Sequence, residues 1–398
     1  MEDFNMDVFD MDNLDESLID DLDLNNFGTV EEEINLPHIK VATKEFKDVL
    51  KIAKSVIATS AKDIISKSLC LVREGDKVRA YATDFDVYYE GVMDLLNTEN
   101  ILEEPIVFPV DVMIKLIKAV PANLIIIKDE EGYKLKLAGG DVALEVHSIG
   151  VDKFQCQEQF DKEDKSLNSL HLLNIIKDFS PLCFGAVSPQ ERRIVFNDKA
   201  LASYMFSGIM AQGDFPNMDL KIKDMNILKQ LLPLTDEELE FFNTKDAKVP
   251  RKMIQSSKYK FTFLLSNQPA NEGIVQGIQD LEFENGVFID FLQFYKLVEL
   301  SSELNYSIGK VGLNVDETGS IKLAFKTKKG KDTIFTLDGS INGNVVTLDK
   351  ELEIQSKLLR VLLKAFTKES SIKVNVLKDA LIISSDNYNS VIFASNRA

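Results

Sequence analysis

The feature that most constrains this chain is a unit that recurs from Leu36 onward: an extended lead-in, one amphipathic helix, then short strands joined by tight turns. One copy reads clearly between Asp111 and Ile149. Apolar residues at helical spacing predict a helix over Asp111 to Val120. Leu124-Ile125-Ile126-Ile127 follows as a strand, Asp129-Glu130-Glu131-Gly132 turns the chain, and Tyr133-Lys134-Leu135-Lys136-Leu137 alternates as a second strand. Gly139-Gly140 then leads into a third strand, Val142 to Ile149. The same order returns near the C-terminus, where a helix from Ile354 to Phe366 precedes strands at Ile372–Val376, Leu381–Ser384 and Val391–Ala394.

Helices of this kind begin near Thr43, Asp111, Leu167, Asp224, Asp290 and Ile354, at intervals of about 68, 56, 57, 66 and 64 residues. Such spacing is too uneven for a solenoid repeat and too regular to ignore. Six units pair into three α+β domains, 37–160, 161–280 and 281–398, each of an ordinary domain size.

Residues 1–36 stand apart. They hold 13 Asp or Glu and no Lys or Arg, and no apolar periodicity runs through them. A segment of that composition cannot bury enough apolar surface to offset its ordering entropy, so disorder is the expectation. Its role is either a solubilising tail or a docking peptide built on its scattered hydrophobic residues. The tail also changes what the net charge of −18 means. With 13 of the 64 acids removed, the other 362 residues carry 51 acids against 46 bases, a net of −5. A mildly acidic body does not exclude nucleic acid, and the placement of its cations decides the matter.

That placement is ordered. On the first helix Lys44, Lys47, Lys51 and Lys54 step by 3, 4 and 3 and form one stripe opposite Phe46, Val49, Leu50 and Ala53. On the last helix Lys357, Arg360 and Lys364 line one side, opposite Leu358, Leu359, Leu362 and Leu363. Lys115 and Lys118 mark the second helix. Lys177, Lys229 and Lys296 mark the other three, each partly offset by a neighbouring acid. A single stripe of this kind is usually a solvated helix face. Its return on helices in equivalent positions favours phosphate contact, which holds DNA without reading it and weakens with salt.

Catalytic signatures are missing. No P-loop and no G-x-G-x-x-G occurs, and Gly330-Lys331 has no upstream glycine cradle. His38, His147 and His171 are isolated and fit no zinc or H-E-x-x-H spacing; His171 reads as a polar-face residue beside Asn174 and Lys177. Cys70, Cys156 and Cys183 are odd in number and far apart, which points to a reducing cytosol without disulfides or a metal site. No run of about 18 apolar residues appears, and the acidic start lacks the pattern of a secretory signal, so a cytoplasmic chain without a membrane partner is expected. No enzyme activity and no cofactor are expected.

The segment Val78-Arg79-Ala80-Tyr81-Ala82-Thr83-Asp84-Phe85-Asp86 resembles the bacterial DNA polymerase III β sliding clamp, whose first domain has an alternating strand ending in Ala-Thr-Asp here. Val107-Phe108-Pro109, Gly139-Gly140 and the close at Val151-Asp152-Lys153-Phe154 extend the likeness. So does Leu297-Val298-Glu299-Leu300-Ser301-Ser302, continuing to Gly309-Lys310-Val311-Gly312-Leu313-Asn314-Val315. No single motif is specific; the order and spacing of the six units carry the likeness over residues 37–398. Three departures stand out. Phe196-Asn197-Asp198-Lys199 lies where the family's second domain has an Ala-Thr-Asp-Gly-His-Arg type of segment. Ala394-Ser395-Asn396-Arg397 replaces a Met-Pro-Met-Arg ending. The acidic tail is additional. A divergent clamp, such as one from a large phage, fits all three.

The resemblance implies a DNA-clamp fold of three similar domains, with helices inside and sheets outside. Twelve helices then close a ring, so six per chain imply a head-to-tail homodimer around duplex DNA. A DNA polymerase would be the tethered partner, and a separate ATP-driven clamp loader would open the ring. Partner peptides would dock near Phe393 and Arg397. Leu22-Asp23-Leu24-Asn25-Asn26-Phe27 has the flavour of such a peptide, with Leu22, Leu24 and Phe27 as its anchors. The rival reading is an acidic interaction or inhibitor protein that acts through residues 1–36 and forms no ring.

Overall fold

The computed structural model describes residues 34–57, 62–186, 192–204, 207–245, 248–266, 286–304, 310–316, 318–327, 331–342, 352–377 and 380–393. Leu22, Leu24, Phe27 and Arg397 lie outside them.

Six units follow one another, each a lead strand, a helix and three further strands. The first is β1 (His38–Ala42), α1 (Thr43–Val56), β2 (Ser68–Glu74), β3 (Lys77–Thr83) and β4 (Tyr88–Asp94). The second is β5 (Ile106–Pro109), α2 (Val110–Leu116), β6 (Asn123–Asp129), β7 (Gly132–Leu137) and β8 (Gly140–Leu144). The third is β9 (Phe160–Asn168), α3 (Ser169–Gly185), β10 (Arg193–Phe196), β11 (Lys199–Tyr204) and β12 (Ser207–Gln212). The fourth is β13 (Met218–Lys221), α4 (Ile222–Leu231), β14 (Glu238–Thr244), β15 (Arg251–Gln255) and β16 (Tyr259–Leu264). The fifth is β17 (Gly286–Asp290), α5 (Phe291–Leu304), β18 (Lys310–Val315), β19 (Ser320–Lys326) and β20 (Asp332–Asp338), with an added β21 (Ser340–Asn342). The sixth is β22 (Leu352–Gln355), α6 (Ser356–Leu363), β23 (Ser371–Leu377), β24 (Ala380–Ser384) and β25 (Tyr388–Phe393).

All six helices thus start within a few residues of where apolar spacing places them, and the small offsets have local causes. At α3, Asn168 is still the end of β9, and its side-chain oxygen accepts from the backbone N–H groups of Leu170 and His171 at 3.0 and 3.3 Å. That N-cap fixes the start at Ser169. At α4, the Asp224 carboxylate reaches back to accept the Lys221 N–H at 3.0 Å, so Asp224 is the third helical residue rather than the first. At α6, Ile354 belongs to β22. The third strand of the second unit stops at Leu144, not Ile149. Beyond it the chain turns toward β5, with the His147 N–H on the Val107 carbonyl at 2.8 Å. Phe154 then packs into a separate apolar cluster with Cys70, Tyr81 and Val107.

Lead strands are exchanged between neighbouring units. β1 pairs with β6 of the second unit and β5 with β2 of the first. β9 pairs with β14 and β13 with β10, and β17 pairs with β23 while β22 pairs with β18. No unit can complete its sheet alone, because its lead strand fills the partner's edge. Two seams then join the pairs, each between the last strands of two units. β4 lies antiparallel to β16 with Gly91 opposite Tyr259, and β12 lies antiparallel to β25 with Gly208 opposite Val391. The result is an eight-stranded and a nine-stranded sheet, plus a four-stranded sheet at each end. Among the described residues, β8 and β20 are the two of the six last strands that have no partner on one edge.

The helices bury their apolar faces against these sheets. In α6, Leu359, Leu362 and Leu363 are fully enclosed and Leu358 nearly so. Each such side chain stabilises the fold by about 1.5–3 kcal/mol through burial. Helix neighbours run in the order α2, α1, α4, α3, α6, α5, so the six form one continuous layer that follows the order of the sheets. Among the described residues, no helix is long and apolar enough to cross a membrane, and Cys70, Cys156 and Cys183 are free thiols.

Candidate nucleic-acid interface

Because every helix turns its apolar side to a sheet, its polar side forms the opposite surface of the helix layer. On α1 the heptad-like spacing buries Phe46, Val49, Leu50, Ile52, Ala53 and Val56 and leaves Lys44, Lys47 and Lys51 exposed. Lys115 on α2 and Lys118 in the 3-10 turn after it are exposed, as are Lys177 and Lys296. On α6, Lys357 is exposed, and Lys364 is exposed in the 3-10 turn that extends the helix. Of the eleven cations picked out for DNA, eight therefore sit on the free face of the layer.

The other three hold helices together. Lys54 pairs with Asp111 at the start of α2 at 2.5 Å. Arg360 pairs with Glu299 on α5 at 2.8 Å. Lys229 donates to the Ser180 hydroxyl at 2.8 Å and lies 5.1 Å above the Phe184 ring, which ties α4 to α3. A cation engaged in this way must break its contacts before it can reach a phosphate, so these three are junction residues first. His171 is exposed and meets the Phe215 ring edge-on at 5.9 Å, in keeping with a polar-face residue.

Two junction residues escape sequence reading altogether. Lys223 on α4 donates to the Val56 carbonyl at 2.9 Å and pairs with Asp84, joining the fourth unit to the first. Arg251 on β15 donates to the carbonyls of Phe85 and Asp86 at 2.9 and 2.8 Å, and its guanidinium lies 5.1 Å from the Tyr88 ring. These contacts hold the loop after β3, where Phe85 takes a left-handed φ of 73°, a conformation that costs a non-glycine residue about 1–3 kcal/mol. Partners separated by 139 residues leave no periodic signal.

The second seam has its own tie. Asp178 on α3, buried, accepts from the Tyr388 hydroxyl at 2.7 Å and faces Lys368 at 3.7 Å. Burial pushes its carboxyl above the ordinary range despite those partners. Phe393 ends β25 at this seam, its backbone opposite Ala380. The turn at Asn197-Asp198 joins β10 to β11, which is the position of Gly75-Asp76 between β2 and β3 in the first unit. The counterpart of Ala82-Thr83 is therefore the end of β11 at Ser203-Tyr204, one strand beyond Phe196-Asn197-Asp198-Lys199. Among the described residues, no group of His, Cys, Asp or Glu is placed to hold a metal ion.

No protein-family model and no curated protein sequence matches the chain. Solved structures do. The DNA polymerase III β sliding clamp of Pseudomonas aeruginosa matches with a TM-score of 0.73 at 15% identity, over 91% of this chain and 100% of that one. The β subunit of Streptococcus pyogenes DNA polymerase matches with a TM-score of 0.69 at 17% identity, over 90% and 99%. That of Thermotoga maritima DNA polymerase III gives 0.68 at 15%, over 91% and 100%. The chain has the α+β sliding-clamp fold, at a sequence distance where few side chains are shared.

Proposed function

We propose that this chain is a DNA sliding clamp, a ring subunit without catalytic activity that encircles duplex DNA and tethers a DNA polymerase and other proteins to it. The observation that carries this reading is the pair of unpaired last strands. Both seams within the chain join last strand to last strand, and β8 and β20 are the two last strands left over. A third seam of the same kind, between β8 of one copy and β20 of another, is a heterologous contact that closes after two copies. Open strand edges otherwise invite uncontrolled pairing. Exposed apolar residues border one of them: Ile334 on β20 is 63% exposed, and Leu292, Leu300 and Leu304 are exposed on α5, which packs against β19 and β20.

In that ring, twelve helices would present Lys44, Lys47, Lys51, Lys115, Lys118, Lys177, Lys357 and Lys364 toward the duplex. Such contacts are sequence-independent and screened by salt, so the DNA is trapped by topology and free to slide. The pairwise exchange of lead strands supports a three-domain division at 37–160, 161–280 and 281–398. A cytoplasmic replication factor, encoded by a phage, needing a separate clamp loader and taking partner peptides near Phe393 and Arg397, completes the reading.

Retention on DNA tests it. The protein is incubated with linear plasmid, whose free ends can thread a closed ring without a loader, and the plasmid is then closed by ligation and passed through gel filtration at high salt. Co-elution with the circle, and release when the circle is cut, is the expected outcome. Loss from the circle at high salt, or equal retention on linear DNA, would refute encirclement.

A further inference from the structure

We infer that the lysine face of α1 has an occupant within the chain when no DNA is present: the acidic segment of residues 1–33. Its consequence for DNA rests on the clamp reading above; the contact itself does not.

Three observations carry it. The face is available, since Lys44, Lys47 and Lys51 are exposed and form no ion pair with a described residue, in contrast to Lys54. Of the two acids on this helix, Glu45 is engaged away from the stripe, accepting the Asp94 N–H at 3.2 Å and facing Lys258, and the half-buried Asp48 is one carboxylate set against three lysines. The charge is complementary, because residues 1–33 hold 13 carboxylates and no cation. The tether is short. Ile34 is fixed by the Asn100 side chain, which donates to its carbonyl at 3.2 Å, and β1 runs directly into α1.

The distances allow it. The five residues of β1 span about 17 Å, and Lys44 to Lys51 spans about 10 Å along the helix. A 33-residue chain has a typical end-to-end distance of about 30–35 Å, and like charges stretch it further. The whole stripe is within reach from the anchor. Tethering of this length gives an effective concentration in the millimolar range, so individually weak carboxylate–lysine contacts fill the face without a tight binding motif. Carboxylates and phosphates ask the same of a lysine, a compact charge with several donors. The tail then acts as an internal polyanion that DNA must displace, and salt screens both contacts alike.

Zero-length carbodiimide cross-linking of the full chain, read by mass spectrometry, tests the contact. Isopeptide links from Asp or Glu of residues 1–33 to Lys44, Lys47 or Lys51 are expected at low salt. Half-molar salt, or excess duplex oligonucleotide, should remove them. In a mixture of isotopically light and heavy protein they should form within single chains. Links confined to other lysines, or formed only between chains, would overturn the inference. As a second measurement, a labelled peptide of residues 1–33 is titrated against a chain lacking them, which keeps every contact described above. Changing Lys44, Lys47 and Lys51 to Gln should weaken its binding at least tenfold; unchanged binding would overturn the docking site. If that shortened chain binds no duplex DNA while the cross-links form in the full chain, the clamp reading fails and the tail contact stands. DNA binding without the cross-links gives the reverse.

Discussion

Neutralising the exposed cations of α1 and α6 should change how DNA binding depends on salt while leaving the fold intact. The perturbation is the set Lys44→Gln, Lys47→Gln, Lys51→Gln, Lys357→Gln and Lys364→Gln. All five side chains are exposed and none enters an ion pair with a described residue, so each exchange should alter stability by less than about 0.5 kcal/mol. Each phosphate contact contributes about 0.9 to the slope of log affinity against log salt. Loss of the three α1 contacts alone should flatten that slope by about 2.7, and loss of all five by about 4.5. The assay is fluorescence anisotropy of a labelled duplex at four or five salt concentrations, with a second duplex of unrelated sequence giving the same slope. A matched control changes Lys54, Lys229 and Arg360 to Gln. Those three hold α1 to α2, α4 to α3 and α6 to α5, so the control should lower Tm by a few °C with a smaller effect on the slope. An unchanged slope in the five-fold variant, or a larger change in the control, would show that the stripes are ordinary solvated faces.

Two further outcomes follow from particular residues. Burial drives the Asp224 carboxyl up to about 7, even though it accepts the Lys221 N–H. A carboxyl raised in the folded state favours folding below its unfolded pKa and loses that advantage as pH rises through about 7. Asp224→Asn, which keeps the acceptor, should therefore raise stability at pH 8, by up to about 4 kcal/mol, and give little gain at pH 4; an equal gain at both values would contradict the assignment. Ile334→Asp together with Leu300→Asp places charge on the edge of β20 and the adjoining face of α5. Light scattering after gel filtration should then give the 44.8 kDa chain mass, and the unaltered protein should give twice that; a persistent dimer in the variant would place the interface elsewhere.

The six helices were legible because each carries a wide apolar stripe at helical spacing, and strong local periodicity survives tertiary context. Leu358, Leu359, Leu362 and Leu363 on α6 are the clearest case, and all four are buried. Strand ends were less legible. The run to Ile149 alternates well enough to extend β8, but Phe154 has a better place against Cys70, Tyr81 and Val107, and the chain leaves the sheet to reach it. The exchange of lead strands could not be read at all, since it pairs His38 with Ile127 and Val287 with Val374, partners 89 and 87 residues apart. At the candidate interface, the stripes showed which lysines share a face and not which of them a neighbouring helix claims. Lys51 and Lys54 look alike in sequence. Asp111 at the head of α2 separates them, and its position depends on how the first two units pack.

The central claim, a closed ring, is open to one direct observation. Negative-stain images of the protein at micromolar concentration, averaged by class, should show a closed two-chain ring with an open centre wide enough for a duplex. Its two halves should be alike, with three similar lobes in each. Isolated open arcs of one chain, or paired arcs joined at one end only, would contradict encirclement of DNA by this chain alone.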